Sequence, residues 1–436
     1  MVRRAYAGYV LGMVTLVATL NTLDTGLIAL LLQPIKEDLH LSDTQLGTLT
    51  GIAFGLFYAT AGLPIARWAD RGNRVSIICV ATLLWGATMM SCLLVTNFLQ
   101  LALTRLAAGI GQSGCMPPTY SLLADFFPSV AGRARAQAVY WLNSSLSSLI
   151  AFVFGGWLSE RFGWRVLFFM LGVPAIVVAL LTKMTIKDPR TKRVDPQPAK
   201  RALAGALQVL TTLWRRPASK HLMLAIILMW ILGYGLAPWY AAFMMRVHGM
   251  STWELGIWLG VILGICSVAG TLLGGYVAAH WRVHDERTQT RLRALSIAAQ
   301  VPLFVAFLLW PSKHGALIAL MPAGLLGGFY IGPTFGLLQR LVEPEARAMA
   351  FAIVMLFANL IGMGVGPESV GLLSDWLTPM LGTESLRYAM LCMQVTALWA
   401  AYHCWQIGAT VNADLAAAAR SQERAGDGLL RTGVSS

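Results

Sequence analysis

A chain of 436 residues that is 57% hydrophobic and only 12% charged carries more apolar surface than a soluble globule can bury. The bilayer must act as solvent, and a dozen spans of about 20 residues each leave no length for a soluble catalytic domain. The net charge of +13 does not point to nucleic acid, because the basic residues sit in loops at one membrane face rather than on a folded basic surface.

Apolar stretches lie near 8–32, 45–68, 76–96, 98–124, 134–158 and 164–183, then near 220–245, 253–280, 292–310, 314–340, 347–374 and 385–409. The first follows Arg3 and Arg4 as a signal peptide would, but its apolar run continues to Leu32 with no small-residue cleavage site before a turn. It reads as a retained anchor. With the amino terminus inside, Arg67, Arg71 and Arg74 fall in the inner loop after the second span, and Arg133 and Arg135 in the one after the fourth. Ten Lys and Arg lie between Lys183 and Lys220, and Arg282, Arg287, Arg291, Arg293, Arg340 and Arg347 continue the alternation to a basic tail. Of the 33 Lys and Arg, only Lys36, Arg161, Arg165, Arg246, Lys313 and Arg387 are left for outer loops, with Arg105 inside a span. This positive-inside bias predicts an even number of spans and both termini in the cytoplasm, as in an integral protein of a bacterial inner membrane. The six cysteines fall inside spans without metal-ligand or CxxC spacing and read as packing residues, so no metal is expected.

The expected organisation is a six-helix bundle over 1–183, a cytoplasmic linker over 184–219, a second six-helix bundle over 220–410 and a cytoplasmic tail over 411–436. In the linker, Leu203, Leu207, Leu210 and Trp214 recur at helical spacing among basic residues, the pattern of a helix lying on the inner membrane surface. The halves repeat. Ser42-Asp43-Thr44-Gln45-Leu46-Gly47 and Ser251-Thr252-Trp253-Glu254-Leu255-Gly256 share S-x-x-[Q/E]-L-G, a capping box that starts a helix at the outer surface. Arg133-Ala134 matches Arg347-Ala348, and Trp157-Leu158-Ser159-Glu160 matches Leu372-Leu373-Ser374-Asp375. Two six-span halves in a parallel repeat resemble the major facilitator transporters, an all-α membrane fold of twelve helices.

The loop after the second span, Gly62-Leu63-Pro64-Ile65-Ala66-Arg67-Trp68-Ala69-Asp70-Arg71-Gly72-Asn73-Arg74, resembles the major facilitator signature G-x-L-A-D-R-x-G-R. Its physical sense is an inner latch built on Gly62, Asp70, Arg71, Arg74 and, after the fourth span, Arg133, in which Asp70 caps a helix and pairs with Arg. In the second half Ala279-His280 stands where Ala69-Asp70 stands in the first, so the acidic latch has no counterpart there. Asp24 and Arg105 are ionisable groups inside hydrocarbon and normally face a partner or a wet cavity. Their depths match, so an ion pair is expected, either as a solute site or as a fixed pair that holds two helices in register.

Pro34-Ile35-Lys36 through Gly47, the signature loop, Asn359-Leu360-Ile361-Gly362, Gly371-Leu372-Leu373-Ser374-Asp375 and Ser385-Leu386-Arg387-Tyr388-Ala389 resemble the Spinster branch over nearly the whole chain. That resemblance implies transport of lysophospholipids, sphingoid phosphates or other amphipathic anions, with protons as a candidate second partner. The chain departs from the branch at Thr25, where Arg is usual, and at Gln112, where Glu is usual, losing one cavity cation and one titratable carboxylate together. Glu368, in a place where the branch tends to be apolar, reads either as a substitute proton carrier beside Asp24 or as a group at the wet outer end of its helix. Tyr234, Trp239 and Tyr330 stand at cavity depth and suit an amphipathic ligand, although helix packing would use the same residue types.

The sequence contains no GxxxxGK[ST], HExxH or GxSxG, so it supports no ATP-driven pumping or hydrolase chemistry, no catalytic residue and no cofactor. The reading is a monomeric secondary transporter that moves a small amphipathic or anionic solute across the lipid bilayer by alternating access. A proton-coupled symporter of small organic anions is the nearest alternative, and a non-transporting membrane receptor or lipid scramblase is the alternative from another class.

Overall fold

The computed structural model describes residues 2–190, 199–280, 285–329, 331–343 and 346–432. Helix α1 (Val2–Leu39) runs past the expected end of the first span and through Pro34. The second span is built from α2 (Asp43–Thr50) and α3 (Ile52–Arg71), which meet at Gly51, and the third is α4 (Arg74–Ser91). The fourth span, expected as one helix, is broken at Gly114 and Cys115 into α5 (Phe98–Ser113) and α6 (Met116–Phe126). Pro117 and Pro118 favour the break: two successive residues without an amide donor lose no hydrogen bond in the first turn of α6, where the amides have no helical acceptor. The fifth and sixth spans make up α7 (Val130–Thr185), interrupted at Gly163, whose φ of 76° lies in the left-handed region that favours glycine.

After α8 (Ala199–Arg215), the seventh span divides at Pro238 into α9 (Pro217–Leu236) and α10 (Trp239–His248). The eighth consists of α11 (Thr252–Leu259) and α12 (Ser267–His280), joined by a wider π turn over Gly260–Cys266. Then follow α13 (Glu286–Leu309), α14 (Lys313–Phe329), α15 (Ile331–Arg340) and α16 (Arg347–Phe357). A second π turn, Ala358–Met363, leads into α17 (Gly364–Leu381), and α18 (Ser385–Cys392) and α19 (Gln394–Thr432) complete the chain. Among the described residues nine segments are long and apolar enough to cross a membrane. Arg135–Thr185 and Met349–Ala417 are each long enough to cross twice, and α5 with α6 adds one crossing, which gives the expected twelve.

The chain forms two compact units that gather segments from both halves of the sequence. One contains Met1–Pro196, Gly233–Ile265 and Met363–Met390; the other contains Gln197–Leu232, Cys266–Gly362 and Leu391–Ser436. In the first unit Val10, Val14 and Val17 of α1 pack with Val75 and Ile78 of α4, Leu122 and Leu123 of α6 and Tyr140 of α7. In the second, Leu222 and Ile226 of α9 pack with Leu337 and Leu341, Ile353 and Val354 of α16, and Ile407 and Val411 of α19. Leu213 of α8 joins this core with Ala206, Val209 and Leu210 against it, while Leu207 and Trp214 are exposed. The linker helix thus turns Leu213 to the neighbouring core and leaves Leu207 and Trp214 of the expected stripe on its outer face. The side chain of Leu203 lies outside the described residues, and Cys392, expected to be a packing residue, is exposed.

Candidate functional site: a buried ion pair and two charged clusters

Asn97 caps α5 by accepting the Gln100 amide at 3.0 Å, and the helix then carries Arg105 inward to Asp24 of α1. Arg105 Nη1 lies 2.6 Å from Asp24 Oδ1, and both side chains are 1% exposed. The other guanidinium contacts are weak. Nη2 is 3.9 Å from Met89 Sδ, the Phe168 ring centroid is 5.6 Å from Cζ, and the buried Nε–H has no acceptor. A guanidinium has five N–H donors, and burying it is costly unless they are satisfied. Arg105 thus has one strong partner and spare donors. The pair opens on a recess lined by Asp24, Thr25, Ile28, Leu49, Thr50, Phe54, Arg105, Tyr234, Pro238, Met363 and Pro367. Its volume is about 30 Å³, roughly the share of one water molecule in the liquid.

Of the residues chosen from sequence, Asp24, Thr25, Arg105 and Tyr234 meet in this recess. Trp239 is fully buried and does not line it; its neighbour Pro238 does. The Gln112 side-chain amide donates to the Asn21 carbonyl and ties α5 to α1. Tyr330 lies outside the described residues.

The recess is closed on the side where α1 ends. Asp43, fully buried at the start of α2, accepts from Lys36 Nζ at 2.5 Å, Arg246 Nη1 and Nη2 at 2.6 and 2.7 Å, and Ser374 Oγ at 2.6 Å. The Asp375 carboxylate in turn accepts the amides of Asp43 and Thr44 at 3.1 and 2.7 Å, capping α2 from the second half of the chain. The repeat supplies the reciprocal contact: Glu160 of the first half accepts the Trp253 amide at 3.0 Å and caps α11. Acids at helix amino termini meet both unpaired amides and the positive end of the dipole. Close helix crossings accompany the caps. A Cβ on Gly371 would stand 2.3 Å from the Asp43 carbonyl oxygen, and one on Gly256 would stand 2.2 Å from that of Phe152. Ser42 and Gln45 form the full capping box expected, and Ser251 accepts the Glu254 amide at 3.2 Å.

Glu368, read either as a proton carrier or as a group at a wet helix end, is half-buried against α2. One oxygen accepts from Thr48 Oγ1 at 3.0 Å, and the other is buried without a partner. The crossing of α17 over α2 covers that second oxygen.

At the opposite end of α1, the signature loop centres on Arg74. Asn73 caps α4 by accepting the Ser76 amide at 2.8 Å, which turns Arg74 inward until it is fully buried. Its guanidinium reaches Asp125 Oδ2 at 2.6 Å, Asp188 Oδ1 at 2.5 Å and Ser121 Oγ at 3.0 Å, while its amide donates to Asp188 Oδ2 at 2.8 Å. Burial acts to raise the Asp188 carboxyl, but the hydrogen bonds from Arg74 and from the Arg190 amide outweigh it and hold the group below the ordinary carboxylate range. Arg190 completes the cluster, donating to the Ala69 carbonyl at 3.0 Å and Ser121 Oγ at 2.9 Å. Asp125, Asp188 and Ser121 were not singled out by sequence, because their pairing with Arg74 joins distant helix ends. Arg71 and Arg133 are exposed, the latter 3.5 Å from the Pro128 carbonyl, and Gly62 faces open space. The side chains of Asp70 and His280 lie outside the described residues.

The second unit has an equivalent contact with the charges exchanged. Glu286, in the first turn of α13, pairs with Arg340 at the end of α15 and lies 3.8 Å from Arg293. Among the described residues no group of three or more His, Cys, Asp and Glu side chains could hold a metal ion.

The Major Facilitator Superfamily model matches residues 14–367. The chain is 32% identical over 392 residues to an MFS-type efflux pump of Mycolicibacterium smegmatis, covering 90% of this chain and 89% of that one. It is 24% identical over 327 residues to a probable galactarate/D-glucarate transporter of Bacillus subtilis, covering 69% of each. Among solved structures it matches the inward-facing, unoccupied form of a bacterial homolog of the human lysosomal transporter Spinster, with TM-score 0.83 and 29% identity over 94% of this chain and 98% of that one. The chain belongs to the Major Facilitator Superfamily, as a Spinster-like transporter.

Proposed function

We propose that this transporter moves an organic anion with an apolar portion, and that Arg105 receives its charged group. The observation that carries the reading is the buried Asp24–Arg105 pair on the wall of the recess, with guanidinium donors unspent on protein. An anion entering the recess would compete with Asp24 for Arg105 and take up its free donors, so binding replaces one satisfied arrangement by another. Thr25 and Tyr234 supply polar edges, and Ile28, Leu49, Phe54 and Met363 an apolar wall. The curated relatives include a sugar-acid transporter and an efflux pump, which supports an organic acid or amphipathic solute.

Transport on this reading is alternating access between two six-helix bundles, 1–183 and 220–410. The clasp of Asp43, Asp375 and Glu160 closes the outer side, and the Arg74 cluster latches the inner side, where both termini and the linker lie. Each gate is a set of charge-assisted contacts that must break before the other side opens.

A second reading, coupling to protons, is favoured by Glu368, whose buried carboxyl keeps one oxygen without a partner. Proteoliposome flux of lysophospholipid, bile-type steroid and aromatic acid anions, with and without a pH gradient, tests both readings. The expected result is saturable flux that Arg105→Ala abolishes in a folded protein, and equal flux without the gradient removes proton coupling. Unchanged flux in Arg105→Ala would overturn the proposed role.

A further inference from the structure

The second unit contains a larger cavity, of about 540 Å³, at the junction of α8 and α9, within the roughly 300–1,000 Å³ of small-molecule sites. Leu210 and Trp214 of α8, Met223 and Ile227 of α9, Phe357 of α16 and Ile361 of the π turn form its wall, which presents no polar surface. Such a slot suits hydrocarbon. Its rim, by contrast, is cationic. Arg215 lines the mouth, and Lys220 Nζ sits 5.2 Å from the Trp214 ring centroid. The stretch from Ala199 to Lys220 contains no Asp or Glu. Nearby, Arg216 adds a third positive charge and donates to the Leu341 carbonyl at 2.7 Å, and the Asp414 carboxylate is turned to the Ala218 amide, from which it accepts at 2.8 Å.

We propose that this cavity seats one acyl chain of an anionic phospholipid, drawn from the leaflet on the basic-loop side, with Arg215 and Lys220 holding the phosphate. The match is between an apolar slot at a helix junction and two cations at its mouth, the two ends of such a molecule. An amphipathic helix with exposed Leu207 and Trp214 already belongs at the headgroup boundary. The lipid would fasten the linker helix to α9, and the site is separate from the Asp24–Arg105 recess.

The test is native mass spectrometry of the full chain in detergent with added phosphatidylglycerol, phosphatidylcholine or inorganic phosphate, beside thermal unfolding under the same conditions. Phosphatidylglycerol is expected to remain bound and raise Tm, with phosphatidylcholine retained weakly and inorganic phosphate without effect. The double variant Arg215→Gln/Lys220→Gln should weaken phosphatidylglycerol binding by roughly 30-fold, as loss of two surface cations implies. Thr211→Trp, which fills the slot and leaves the cations in place, should exclude the chain. Equal retention of the two lipids, or binding undiminished in both variants, overturns the proposal. So does loss of lipid on Arg105→Ala, because that places the ligand in the central recess.

Discussion

Arg105 meets Asp24 through one guanidinium nitrogen at 2.6 Å, while its Nε–H, equally buried, has no acceptor. A pair that served only to fix two helices would gain by closing that donor. Asp24→Asn should therefore destabilise by about 3–5 kcal/mol, because it strands a buried cation. The double replacement Asp24→Leu/Arg105→Met should recover most of that loss in Tm without recovering transport. Flux that returns together with Tm would reduce the pair to scaffolding.

The reciprocal caps predict an opening bias. Asp375→Asn and Glu160→Gln each weaken a charge-assisted cap on backbone amides, a change of about 0.5–2 kcal/mol. Labelling of a Leu49→Cys probe by a membrane-impermeant maleimide should speed up in either background and most in the double variant. Rates identical to the parent would separate these acids from closure.

Gly256→Ala tests the helix crossing. Its Cβ would stand 2.2 Å from the Phe152 carbonyl oxygen, and relieving that overlap should cost about 1–3 kcal/mol. A lowered Tm and faster labelling at Leu49→Cys are expected together. Gly275→Ala, which meets open space, serves as the neutral control.

Acid sensitivity should trace to the Arg74 cluster. The Asp188 carboxyl lies below its ordinary value of 3.8 in the folded protein. Its contribution is therefore complete above the unfolded-state value and is lost as pH falls through the folded one. Thermal melts between pH 6 and pH 3, analysed as the difference between parent and Asp188→Asn, should converge toward the acid end. A constant difference would remove Asp188 from the acid transition.

The twelve crossings, the repeat and the Asp24–Arg105 pair were legible in the sequence because hydrocarbon makes charge expensive, and two ionisable groups at matching depth in apolar runs are conspicuous. The clasp was not. Glu160 and Asp375 look like ordinary loop-end acids, and only the crossing of helices from opposite halves directs them at the Trp253 and Thr44 amides. For Glu368 the sequence left a proton carrier and a wet helix end both open for the same reason, since it cannot supply the α2 surface that half-buries the carboxyl. The π turns at Gly260–Cys266 and Ala358–Met363 each shift helical register without interrupting the apolar run, so periodicity does not reveal them.

The exchanged charges of Arg74 with Asp125 and of Glu286 with Arg340 also bear on how the chain assembles during synthesis. Two half-chains of common design emerge into one bilayer, and each offers the other a homologous but incorrect docking surface. If the start of one half met the helix end of the other, Arg74 would face Arg340, or Glu286 would face Asp125. Both encounters set like charges against each other, so the inverted polarity disfavours pairing between the duplicated halves.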